Sequence, residues 1–148
     1  MKQQNTHLFS ALMWLAFLYW MGTVFMLTSA PPSTFSKPGF FFQLPEFIKN
    51  IPNLDKFIHF SFYFGAMFFL TIAVQTSPKG VFRGNQKIAF IAVTLLVLAA
   101  MGELKQLYIP GRTADLWDFV ANLTGGAVAI WIVYLLFSRL KQQKSLRI

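Results

Sequence analysis

Four apolar stretches, each long enough to cross a lipid bilayer, constrain this chain more than any other feature. Leu8 to Leu27 carries no charge, and Phe57 to Gln75 has no Lys, Arg, Asp or Glu. Ile88 to Leu107 has Glu103 and Lys105 near its end, and Leu116 to Phe137 has Asp118 near its start. A hydrocarbon core of about 30 Å needs about 20 such residues in a helix. The runs are too long for strands, and no hairpin chemistry joins them. The expected fold is an all-α, four-helix transmembrane bundle in one domain covering residues 1–148.

Composition supports this reading. The chain is 55% hydrophobic and only 12% charged, against about 25% charged in soluble domains. It is too hydrophobic for disorder. The net charge of +8 flanks the apolar runs and forms no patch of its own, so no nucleic-acid partner is expected. There is no cysteine, which removes disulfide and thiolate chemistry. Thr28-Ser29-Ala30 resembles a signal-peptide cut site, but the preceding run exceeds the usual core of about 7–15 residues. Pro31 would follow the cut, so the first span is read as retained.

The connections set an orientation. Thr28 to Leu54 holds five prolines and the run Phe40-Phe41-Phe42, and is expected on the membrane surface. Thr76 to Lys87 is short and basic, and Tyr108 to Asp115 contains the turn signal Pro110-Gly111. Both termini and the second loop carry eight Lys/Arg and no acid, while the opposite side carries five Lys/Arg and all five acids. The positive-inside rule then places both termini in the cytoplasm and the acids outside, in a multi-pass protein of the bacterial inner membrane.

The polar residues gather on that outer side. Asp55, His59 and Tyr63 recur at i, i+4 and i+8, within about 80° of a helix. Glu103 and Gln106 are three apart. Asp115, Asp118 and Asn122 fall within about 60°, and Arg112 sits in the turn before them. Charges in spans cost about 2.5–3.5 kcal/mol each at the bilayer centre, and usually face a bundle interior or a wet cavity. An outward-opening pocket accounts for all of them together. Asp55, His59, Glu103 and Asp118 are the candidates for catalysis. Arg112, Gln106, Asp115, Asn122 and Tyr63 are the candidates for ligand binding.

Each residue also has a plainer role open to it. Asp55 and Asp115 suit helix N-caps, and Tyr63 is an ordinary span aromatic. Lys105 is expected to snorkel to the headgroups. Arg112 either closes the bundle by pairing with Glu103 or Asp118, or receives an anionic headgroup through its planar fork. With one nearby histidine and no cysteine, zinc is disfavoured; an oxygen-rich site would better suit magnesium, calcium or manganese, but no metal is assigned and the cofactor is unknown. Ala121, Gly125 and Ala129 form a small-residue ridge for close helix packing.

The ordered combination Asp55-Lys56-x-x-His59-x-x-x-Tyr63, Glu103-x-x-Gln106 and Pro110-Gly111-Arg112-x-x-Asp115-x-x-Asp118-x-x-x-Asn122-x-x-x-Gly126 resembles the VanZ-like family of small bacterial membrane proteins, over roughly Asn50 to Trp131. That family takes its name from a protein linked to resistance to glycopeptide antibiotics such as teicoplanin. The resemblance implies a cell-envelope role and fixes no reaction. Three functions follow as expectations. The first is binding or modifying an envelope component: an anionic lipid, a cell-wall precursor or a glycopeptide. The second is a hydrolase or transferase using carboxylates and His59. The third is a transporter or assembly subunit. No inverted repeat favours transport, and the polar groups lie at one face and not at the midplane.

Overall fold

The computed structural model describes residues 2–30, 52–78, 80–82 and 85–145. Its four helices are α1 (Lys2–Ser29), α2 (Leu54–Thr76), α3 (Gln86–Gln106) and α4 (Leu116–Ser145). All four are long and apolar enough to cross a membrane, so the protein is a multi-pass membrane protein. The expected spans fall inside these helices to within a residue at Leu107, and α1 and α4 run several residues further. The proline-rich segment between α1 and α2 falls largely outside the described residues.

α2 is the central helix. It packs most extensively on α4, then on α1. Each of α2, α3 and α4 buries one stripe, and each stripe changes character along its length. On α3 the buried residues are Ile91, Leu95, Ala99, Glu103 and Gln106, at helical spacings of four and three. On α4 the same stripe runs from Asp118 and Asn122 through Ala129 to Val133. On α2 it runs from His59 and Tyr63 to Met67, Leu70 and Val74. The apolar ends meet in a core of Met67, Leu70, Val74, Ile91, Leu95 and Ala129. The polar ends meet at the other end of the bundle, called the acidic end below.

Close approach sets the helix positions. A Cβ at Gly125 would collide with the backbone of Phe60, and one at Gly126 with Leu95 and Met67. Ala129 is fully buried. Gly125 of the small-residue ridge therefore lies directly against α2. Beyond its polar first residues α1 is largely apolar, packs mainly on α2, and buries Ser10, Phe17 and Val24 at intervals of seven. Ser10 Oγ donates to the Ala73 carbonyl at 3.1 Å and Trp20 Nε1 to the Phe62 carbonyl at 2.8 Å. The Trp20 ring lies over Gly65, where a Cβ would come within 2.5 Å of it.

Candidate site at the acidic end

The chain enters α2 through Asn53, which has φ 56° and makes no side-chain cap. Asn tolerates this left-handed backbone better than most residues. Asp55 is therefore not the N-cap. It lies in the first turn, where acids favour the helix dipole, and its carboxylate turns to Lys56 at 2.8 Å. Asp115 does cap α4: its Oδ1 accepts from the Trp117 N–H at 2.9 Å. Between α3 and α4, Gly111 has φ 78° and the Arg112 N–H bonds the Ile109 carbonyl at 3.1 Å. Pro110 and Gly111 thus fill the central positions of a type II pattern, where glycine supplies the positive φ.

Lys56 is the hub. Its ammonium bonds Asp55 at 2.8 Å, Asp118 Oδ1 at 2.6 Å and also Asp115 Oδ2. One cation thus holds the start of α2 to the start of α4. Those three carboxylates lie within 4.8 Å of one another, a spacing that could suit a divalent cation. Here the Lys56 ammonium supplies the positive charge among them. Asp115 lies outside the spans, and the Lys56 ammonium, helped by the Trp117 N–H, holds its carboxyl below the ordinary value of 3.8.

Behind Lys56 runs a buried chain of hydrogen bonds. Asn122 is fully buried; its Nδ2 donates to Glu103 Oε1 at 3.1 Å. That orientation leaves Asn122 Oδ1 facing His59 Nδ1 at 3.0 Å. An acceptor at that point requires the proton on Nδ1, an assignment that follows from the network. His59 Nε2 then faces Asp118 Oδ2 at 3.5 Å. This pair is attractive only when a proton sits on one of the two atoms. Glu103 Oε2 accepts from the Asp115 N–H at 3.3 Å, which closes the circuit from Glu103 back to the Lys56 cluster.

Three expected members stand apart. The Tyr63 hydroxyl donates to the Leu98 carbonyl at 2.7 Å, a bond that ties α2 to α3. Arg112 enters no ion pair among the described residues, so neither Glu103 nor Asp118 holds it; the closing cation is Lys56. Gln106 is buried, yet its Nε2 has no hydrogen-bond partner, and the same holds for Arg112 Nε. Lys105 reaches across to another helix. Its ammonium bonds the α1 end at Thr28 Oγ1 (2.5 Å) and the Phe25 carbonyl (3.3 Å), and lies 4.4 Å from the Phe25 ring centroid. Sequence reasoning passed over Lys56 as a site residue, although Lys56 and His59 are three apart and so share a helix face.

Beside this network, an open groove of about 730 Å³ runs between α2 and α4. Phe57, Phe60, Trp117, Val120 and Ala121 make its apolar wall, and Lys56 and Asn53 its polar end. Residues 8–137 match the sequence model of the VanZ/LLP1 family. The chain belongs to the VanZ/LLP1 family. No curated protein and no solved structure matches it. The family match takes in α1 as well as the three helices of the polar network, so this VanZ/LLP1 protein is matched across all four spans.

Proposed function

We propose that this VanZ/LLP1 protein binds, at the extracytoplasmic face of the bacterial inner membrane, a lipid-borne component of the cell envelope. The groove between α2 and α4 carries the reading. Its apolar wall opens beside membrane-spanning surface, and its polar end reaches Lys56, whose ammonium bonds the buried Asp118 behind it. A lipid chain fits the first part. The second part, Asn53 and the Lys56 ammonium with the three carboxylates that Lys56 holds, suits a hydroxyl, amine or sugar. An acyl lipid and a lipid-linked cell-wall precursor share this chemistry; a glycopeptide would have to present a comparable apolar part. Eight Lys/Arg on one side against five on the other support the orientation.

A second reading, proton-transfer catalysis, has one specific observation behind it. Asn122 fixes the His59 tautomer and leaves Nε2 as the nitrogen facing Asp118. A histidine oriented in this way can take a proton from a bound hydroxyl, with Asp118 beside it to stabilise the imidazolium. In that reading Glu103 and Asn122 position His59, and Asp55 and Asp115 hold Lys56.

The test is to block the groove without touching the network. Ala121→Trp fills it from the α4 wall. Wild-type protein purified from membranes should carry a bound lipid or lipid-linked species in native mass spectrometry, and Ala121→Trp should lose it. Equal occupancy in the two proteins refutes the groove as the binding site.

A further inference from the structure

A second groove lies toward the other end of the bundle from Lys56. It runs between α3 and α4, with a volume of about 540 Å³, from Ile88 and Tyr134 at one end to Leu96 and Ala127 at the other. All of it lies within the membrane-spanning stretches. Its lining is aliphatic and aromatic, apart from the Tyr134 hydroxyl. Ala92 and Ala127 offer only methyl groups to it, while Leu96 and Trp131 beside them stand more than half exposed. α3 packs on α4 much less extensively than α2 does, so this seam stays open.

Two lysines stand just beyond the Tyr134 end. Lys87 precedes Ile88 by one residue and Ile91 by four, so it shares the face of α3 that meets the groove. Its ammonium bonds the Gln75 carbonyl at 3.2 Å, and the Gln75 side chain lies within hydrogen-bonding reach of Tyr134. Lys141 follows Tyr134 by seven residues, two turns along the same face of α4. It is exposed, and the two lysines lie within each other's electrostatic field. Both sit near the ends of their spans, the depth at which lipid headgroups begin. Every acid among the described residues belongs to the opposite end of the bundle, so none answers them.

An apolar groove that ends at unanswered positive charge fits an amphiphile with an acyl chain and an anionic head. Basic pockets between membrane spans take anionic headgroups in this way. A second copy of this chain would set the same lysines against these, and that repulsion disfavours self-association here. We infer that the α3–α4 groove holds one acyl chain of an anionic glycerophospholipid, whose phosphodiester sits against Lys87 and Lys141. The lipid fills the seam between the two helices whose other ends carry Glu103 and Asn122. This site is separate from the α2–α4 groove and does not depend on what that groove binds.

The experiment is native mass spectrometry of delipidated full-length protein in detergent, titrated with dioleoyl phosphatidylglycerol and, separately, with dioleoyl phosphatidylcholine. Wild type should bind the anionic lipid on the order of tenfold more tightly than the zwitterionic one. Lys141→Gln removes one exposed charge and should cut that preference about fivefold. Arg139→Gln removes an equal charge two residues away, on the opposite face of α4, and should leave the preference in place. Both variants should melt like wild type. Ala127→Trp fills the groove and should lower phosphatidylglycerol binding to the level of phosphatidylcholine. Ala121→Trp, in the α2–α4 groove, should leave the preference unchanged. Equal affinity of wild type for the two lipids overturns the site. So does an equal loss in Arg139→Gln and Lys141→Gln, which would mean diffuse surface charge, or undiminished binding in Ala127→Trp. A dimer that Ala127→Trp dissociates would assign the groove to a second copy and overturn the lipid.

Discussion

Lys56 shows what a single side chain does at the acidic end. Three carboxylates share its ammonium, and two of them belong to the start of a different helix. Removing one partner of a buried ion pair costs about 3–5 kcal/mol, because the remaining charge is stranded. Lys56 is partly exposed, so Lys56→Met should cost about 3 kcal/mol at most, read as a lowered melting temperature in detergent. Arg112→Ala should leave that temperature nearly unchanged, since no ion pair is lost. The reverse ranking would restore Arg112 as the closing cation. Asp115 adds a pH dependence. Its carboxyl titrates below the ordinary 3.8 in the folded protein. Its stabilisation is therefore complete above about pH 4 and is lost as pH falls through the lower folded value. Asp115→Asn should reduce the acid sensitivity of melting below pH 4, and an unchanged acid limb would count against the Lys56 pairing.

At the scale of helices, the helix pair α2–α4 depends on glycine where no other residue fits. Gly125 sits directly against the Phe60 backbone, which cannot move aside as a flexible side chain can. Gly125→Ala should cost about 1–3 kcal/mol by overpacking. Gly22 on α1 has nothing within 4 Å of its missing Cβ, and Gly22→Ala should be neutral or stabilising through helix propensity. Melting curves of the two variants check this, and equal losses would contradict the packing. The ridge was legible because small residues at i, i+4 and i+8 have one structural meaning in a span. The role of Lys105 was not. Nothing in its own helix shows that Thr28 and Phe25 of α1 lie within reach, and a partner 77 residues away leaves no local periodicity to read. Lys56 and Arg112 erred for a related reason. Their charges and helix ends were plain, but which cation meets which acid depends on how α2 turns against α4.

For the whole molecule, the division of each buried stripe into an apolar and a polar half places the core at one end and the polar network at the other. The spans, their number and the side on which the acids collect follow from hydropathy and spacing alone. The hydrogen-bond order Glu103–Asn122–His59 does not, because it needs three helices in register. The orientation has its own prediction: a reporter fused after Ile148 should be active only if it works in the cytoplasm. Activity of an exported-only reporter there would place the acidic end inside. On the proposed function, the buried chain at this end serves a ligand and is more than a scaffold. This is tested most directly by His59→Gln, which keeps a polar side chain against Asn122 and removes the imidazole. Bound lipid should be measured by native mass spectrometry beside the melting temperature of the same preparation. Lipid occupancy should be lost or altered while melting stays within a few degrees of wild type. Unchanged occupancy, or a loss seen only where the protein no longer folds, would contradict it.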